Sequence, residues 1–131
     1  MPSFIQPLLR NPQGHWTLID ADTGTRLAGR VVAAVDSAAR RRGLLGRTTM
    51  DDEALVIAPC NAVHTFFMRL TIDIAFVTRD GRVVRAVSNV PPWRITGAFG
   101  AFATIEMAAG TLVRTATKAG HALRLREAEP R

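Results

Sequence analysis

The sequence predicts a mainly β domain: a small sandwich or partly closed, jelly-roll-like barrel, with one short helix near residues 37–46. Three observations predict it. Apolar or alternating runs of strand length recur along the chain, glycine- and proline-containing turns separate them, and a single short stretch has helical character. Long helices alternating with strands, the pattern of a doubly wound parallel sheet, are missing.

Residues 1–14 contain Pro2, Pro7, Pro12 and Gly14 without sustained periodicity, and read as an irregular N-terminal arm. WTLID and RLAGRVVAAV then suggest two strands joined by the turn ADTGT. Asp36 or Ser37 suits the N-cap of a helix, SAARRRGLLGR, which Gly43 and Gly46 weaken and end. ALVIA is an apolar run closed by Pro59, and residues 63–69 are aromatic and β-prone. DIAFVT and VVRAV flank Asp80-Gly81, the strongest turn signal in the chain, and predict a β-hairpin. Pro91, Pro92 and Gly97 to Gly100 bracket a loop around Trp93. ATIEMAAG offers a further strand, and ALRLR alternates like a half-exposed last one. The resulting organisation is an arm (1–14), one β-rich domain (15–126) and a frayed tail (127–131).

Composition narrows the function classes. A chain of 131 residues, 47% hydrophobic and 21% charged, is one ordinary globular domain with enough length for a core. Its lone cysteine allows no internal disulfide. No apolar run has membrane-spanning length, and the opening MPSFIQPLLR lacks the features of a signal peptide. The expected location is therefore the cytoplasm; export fits only if a leader has been trimmed. The net charge of +6 is carried almost wholly by arginine, with Lys118 the single lysine. A basic surface can serve nucleic acid or anionic membranes. No nucleic-acid motif accompanies it, and arginine as a generic solvated cation explains it as well.

Soft and titratable groups concentrate in CNAVHTFFMRLTID, which holds Cys60, His64, Met68 and Asp73. The first three are spaced i, i+4, i+8 and share one face of either a helix or a strand. In a helix neighbours would sit about 6 Å apart and could share a soft metal. In a strand the same step spans roughly 13 Å, and no single ion touches both. The aromatic, β-prone composition favours the strand, so neither metal nor cofactor is expected. Cys60 as a nucleophile would need His64 or His121 as base and Asp73 or Glu106 as orienter. A lone cysteine is more commonly a small buried hydrophobe. Asp73 and Glu106, each inside an apolar strand, read either as paired acid/base carboxylates or as structural acceptors for loop amides or for Arg42, Arg47, Arg69 and Arg94. Trp93, a large aromatic in a polar loop, either caps the fold or lines a pocket with His64 and Phe67. His15 and His121 read as solvated.

Several separate blocks run in a familiar order: Arg42-Gly43-Leu44 after a short helix, the apolar strand into Pro59-Cys60, HTFFMR, Ile72-Asp73, FVTRDGRVV, Pro91-Pro92-Trp93-Arg94, and Ile105-Glu106 followed by Ala109-Gly110. Over about residues 30–125 the chain resembles an uncharacterised prokaryotic family, domain of unknown function 192. The resemblance implies a compact, β-rich, jelly-roll-like fold and no particular activity. Many members carry an export or lipid signal, which this chain does not show. Leucine usually precedes the family's glutamate and proline often follows it, where this chain has Ile105 and Met107.

Three functions compete. The favoured one is a non-catalytic binding or accessory domain for an unknown small molecule or protein. Its one pocket lies near His64, Asp73, Trp93 and Glu106, with Arg42, Cys60 and Met68 as further candidates. The others are a small enzyme using Cys60/His64 or Asp73/Glu106, and a basic adaptor docking on an anionic partner through Arg26, Arg30 and Arg40 to Arg42. The expected assembly is a monomer or weak homodimer.

Overall fold

The computed structural model describes residues 3–128, apart from the side chain of Arg41. In chain order the elements are α1 (Gln6–Arg10), β1 (Trp16–Asp20), β2 (Arg26–Ala28), β3 (Arg30–Ala34), α2 (Ser37–Arg42), β4 (Glu53–Ile57), β5 (Ala62–His64), β6 (Ile72–Val77), β7 (Val83–Val90), β8 (Ile95–Gly97), β9 (Ala103–Ala108), α3 (Thr111–Thr115) and β10 (Leu123–Glu127). The strands form three sheets, ordered β10-β1-β2, β3-β4-β9-β6-β7 and β5-β8. None closes into a barrel, so the sandwich alternative is the one adopted.

The five-stranded sheet separates two cores. β6 and β9 are antiparallel and pair Asp73 with Met107, Ile74 with Glu106 and Ala75 with Ile105. Because side chains alternate across a strand, the odd-numbered residues of both strands face one layer and the even-numbered ones the other. On the odd side Ala75, Val77, Ile105 and Met107 meet Leu18, Leu27 and Leu123 of the three-stranded sheet. On the even side Ile72, Ile74 and Phe76 pack with Leu44, Met50, Met68 and Leu70. All six side chains of β6 are buried, Asp73 among the five apolar ones.

Local chemistry sets the element boundaries. Asp36 caps α2, accepting a hydrogen bond from the Ala39 amide at 2.8 Å, and the helix stops at Gly43, whose φ is 46°. α2 links β3 to β4, the one parallel pair among the described strands. The expected long strand RLAGRVVAAV is instead two strands in two sheets, broken at Gly29. There the amide of Gly29 donates to the carboxylate of Asp52 at 2.9 Å, and an added Cβ would lie 2.4 Å from that carboxylate. A side chain would push this anchor aside.

Three further expectations are corrected. Among the described residues there are three short helices, not one. The arm is not irregular: it carries α1, whose Pro7 stands in the first turn where no amide is needed, and Ile5 and Leu8 enter the odd-side core. The loop around Trp93 contains β8, which pairs with β5. At the C-terminus β10 runs through Glu127, and the amide of Ala128 donates to the carbonyl of His15 at 2.7 Å. The remainder of the expected tail, 129–131, lies outside the described residues.

The Asp80-Gly81 hairpin forms as expected, with Gly81 at φ 89°. Glycine is needed there for a second reason: a Cβ would sit 2.5 Å from the main-chain carbonyl oxygen of Leu123. Gly24, at φ 73°, has open space around it. Gly24→Ala should therefore cost only the left-handed penalty of about 1–2 kcal/mol. Gly81→Ala should cost roughly 3 kcal/mol or more, because β10 must also retreat. Urea unfolding of the two variants measures the difference.

Candidate functional site

On the even side of the large sheet, α2 and its exit loop stand opposite the β5 segment and leave a cleft of about 620 Å³. Its lining includes Arg40, Arg42, Leu44, Cys60, His64 and Met68, with Glu106 among them. The cleft thus gathers five of the seven expected residues: Arg42, Cys60, His64, Met68 and Glu106. Asp73 and Trp93 lie elsewhere.

Glu106 reaches the cleft because its position in β9 is even. The side chain is only 3% exposed, and among the described residues no hydrogen-bond donor meets its carboxyl. The backbone of Gly43 passes close by, where a Cβ would come within 3.7 Å of Oε1. Burial in this apolar setting favours the uncharged form and pushes the Glu106 pKa up from 4.5 to about 7. At neutral pH the group therefore exchanges a proton readily, and it can donate as well as accept a hydrogen bond.

The other lining groups are largely occupied. Arg40 donates to the carbonyls of Val35 at 2.5 Å and Ala58 at 3.5 Å, tying α2 to the ends of two strands. Cys60 is half-buried; its amide donates to Phe102 O, its carbonyl accepts from the Thr104 hydroxyl, and its thiol donates to Ala62 O at 3.2 Å. Val63 and His64 continue in extended form within β5. The His64 ring stacks on Phe66, with centroids 4.9 Å apart. Among the described residues no hydrogen bond joins the thiol to an imidazole, so the Cys60/His64 dyad does not assemble. His121 is not solvated: its Nδ1 lies 2.7 Å from Asp20 Oδ2, and its hydrogen bond goes to that acid and not to Cys60. Burial pushes the Asp20 carboxyl up, but hydrogen bonds from His121, Thr117 and the amides of Asp22 and Thr23 outweigh it and hold the pKa below the usual carboxylate range. Asp20, Asp22 and His121 cluster closely enough to hold a cation, yet their hydrogen bonds already account for the arrangement.

Asp73 cannot pair with Glu106, because an odd and an even residue of adjacent strands leave the sheet on opposite faces. It faces the other core, where Oδ1 accepts from the Asn89 amide at 2.9 Å and Oδ2 from the Leu112 amide at 2.8 Å. These contacts fasten α3 and the end of β7 to the sheet. The paired-carboxylate chemistry is thereby excluded, and Asp73 is removed from the site. Trp93 stands outside the cleft, packed edge-on against Phe67 at 4.7 Å and stacked on Phe66 at 5.6 Å.

Thr65 was not anticipated. It is fully buried and knots two loops together: its hydroxyl donates to Pro91 O at 2.7 Å and accepts from the Arg94 amide at 2.9 Å. Its own amide donates to Arg94 O, and its carbonyl accepts from the amides of Met68 and Trp93. A lone threonine between a histidine and two phenylalanines was the available signal.

The family model for domain of unknown function 192, described as an uncharacterised ACR, matches residues 19–125. The chain belongs to that family. No curated protein matches it. Among solved structures, this member of the family is similar to a protein of unknown function from Novosphingobium aromaticivorans DSM 12444, with a TM-score of 0.72 and 26% identity over 84% of this chain and 83% of that one. A proposed transcription regulator from Sinorhizobium meliloti 1021 shares the fold, with a TM-score of 0.70 and 24% identity over 85% of this chain and 92% of that one. The mainly β fold expected from the resemblance is thus the one this chain adopts. No helix among the described residues is long and apolar enough to cross a membrane.

Two outcomes follow. Between pH 4.5 and about 7 the unfolded chain releases the Glu106 proton while the folded chain keeps it, so stability falls as pH rises through that window. The cumulative loss is of order 3 kcal/mol. Glu106→Gln should flatten this part of the profile and melt at or above the wild type at the alkaline end, as seen in thermal unfolding at stepped pH. Asp73→Ala should cost about 2–4 kcal/mol by orphaning two amides, and hydrogen exchange should report the loosening at α3 and the end of β7.

Proposed function

We propose that this member of the family is a small-molecule-binding module, and that the ligand sits in the cleft over Glu106. The buried carboxyl facing that space, which meets no donor among the described residues, carries the reading, since burying such a group costs free energy that a ligand hydrogen bond would recover. The volume of about 620 Å³ lies within the range of ligand pockets. Leu44, Ile57, Val63 and Met68 supply apolar wall, which fits a ligand with a hydrocarbon body and one polar end directed at Glu106. Arg42 carries no ion pair among the described residues and stands at the rim, where it favours a second, anionic substituent. The commitment of the Cys60 thiol to Ala62 and the placing of Asp73 on the far face support binding rather than covalent or acid/base chemistry.

A thermal-shift screen of small carboxylic acids and amphipathic metabolites against the full chain tests this. A compound in about hundredfold excess over its Kd should raise stability by about 2.7 kcal/mol. The gain should vanish in Ala62→Trp, which fills the cleft from an exposed position, and shrink at least tenfold in affinity in Glu106→Gln. A stabilising compound that binds both variants as it binds the wild type refutes the site.

A further inference from the structure

Beside the cleft, on the outer side of β5 and β8, the chain exposes a group of large apolar side chains that the cleft does not use. Phe67 is 72% exposed, Trp93 57% and Ile95 73%. They form one crest: Phe67 contacts Trp93, Trp93 stacks on Phe66, Phe66 stacks on His64, and His64 pairs across the strands with Ile95. Both exposed rings are held at φ 67°, a conformation that bulky residues rarely adopt, and the Thr65 knot fixes the two loops that bear them. Strain of this kind persists where surrounding structure enforces it, and it gathers at functional surfaces.

Charge says what meets the crest. Between residues 54 and 105 the chain has five arginines and only two acids, Asp73 and Asp80. Asp73 is buried on the far side of the large sheet, and Asp80 lies at the hairpin turn. Arg69 and Arg94, next in sequence to the crest loops, are exposed and have no carboxylate partner among the described residues. Exposed aromatic and branched apolar side chains flanked by unpaired arginines are complementary to a bilayer surface, with rings at the headgroup boundary and guanidiniums on lipid phosphates. A single strand of nucleic acid also attracts arginine and aromatic groups, but bases stack on free ring faces. Here Phe66 spends its ring on His64 and Trp93, Trp93 gives contact area to Phe66 and Phe67, and Ile95, 73% exposed, has no ring for a base to stack on.

We propose that this crest is a membrane-docking surface, seating Phe67, Trp93 and Ile95 in the interface of an anionic bilayer with Arg69 and Arg94 on its phosphates. The inference does not depend on what the cleft binds.

Vesicles of phosphatidylcholine mixed with phosphatidylglycerol, and of phosphatidylcholine alone, test it by co-sedimentation and tryptophan emission. The full chain should sediment with the anionic vesicles, release in high salt, and show a blue shift on binding. Trp16 is already buried, so Trp93→Phe should abolish the shift while leaving sedimentation largely intact. Phe67→Asn with Trp93→Asn, chosen because asparagine tolerates the left-handed backbone, should weaken vesicle binding at least about tenfold. Arg69→Glu with Arg94→Glu should do likewise. Because all four side chains are exposed, melting midpoints should stay near the wild-type value, and each variant is read only after that check. Absence of binding to anionic vesicles overturns the proposal. So does binding that neither double variant weakens, or binding of a single-stranded oligonucleotide that quenches Trp93 without any vesicle binding.

Discussion

The pairing of β6 with β9 is the constraint on which the rest of the molecule depends. Asp73 opposite Met107 and Ile74 opposite Glu106 fix which residues of two almost wholly buried strands see each layer. A shift of one residue would exchange the two faces and put the carboxyl of Glu106 into the core between the large sheet and the three-stranded one. With the register as it stands, one acid becomes a fastener and the other becomes the chemically distinctive group of the cleft. Their chemistry is the same; only the parity of their positions separates them.

Around that sheet, short polar contacts do work that small sheets cannot do by area alone. Asp52 receives the Gly29 amide where the chain leaves one layer for the other. Asp20 collects His121, Thr117 and two amides where β1 meets β10. Thr65 joins the β5 end to the loop after β7. Asp20 and Thr65 are buried with their acceptors used, which is what allows them to be buried, whereas Asp52 makes its contact at the surface. Glu106, which meets no donor among the described residues, is the exception among the buried acids, and the exception coincides with the cleft of about 620 Å³.

Much of the framework was legible in the sequence because its signals are local. WTLID, DIAFVT, Asp80-Gly81 and the Asp36 cap each specify their own conformation within a few residues. The cleft was half legible: Arg42, Cys60, His64, Met68 and Glu106 share an environment, whereas Asp73 and Trp93 do not. What failed was long-range. The faces occupied by Asp73 and Glu106 depend on register between strands thirty residues apart, and no pattern within either strand reports it. Gly29 reads as an ordinary residue within an apolar run, and only its contact with Asp52 makes it a break. α1 was hidden by prolines, although Pro7 stands in the first turn, where a missing amide costs nothing. Thr65 looked like one polar residue in an aromatic stretch, since its four partner residues come from other parts of the chain or from the turn after it.

The threonine knot has a kinetic meaning. Loops that must first fold around a partner lose conformational entropy during the encounter, and many productive collisions are wasted. Here the loops are already tied, so whatever meets Phe67 and Trp93 finds them in their final arrangement and little ordering remains to be done. Contact on this side of the protein should accordingly form at close to the collision-limited rate for a rigid patch, leaving the lifetime of the encounter, and not its onset, as the quantity that selection can adjust.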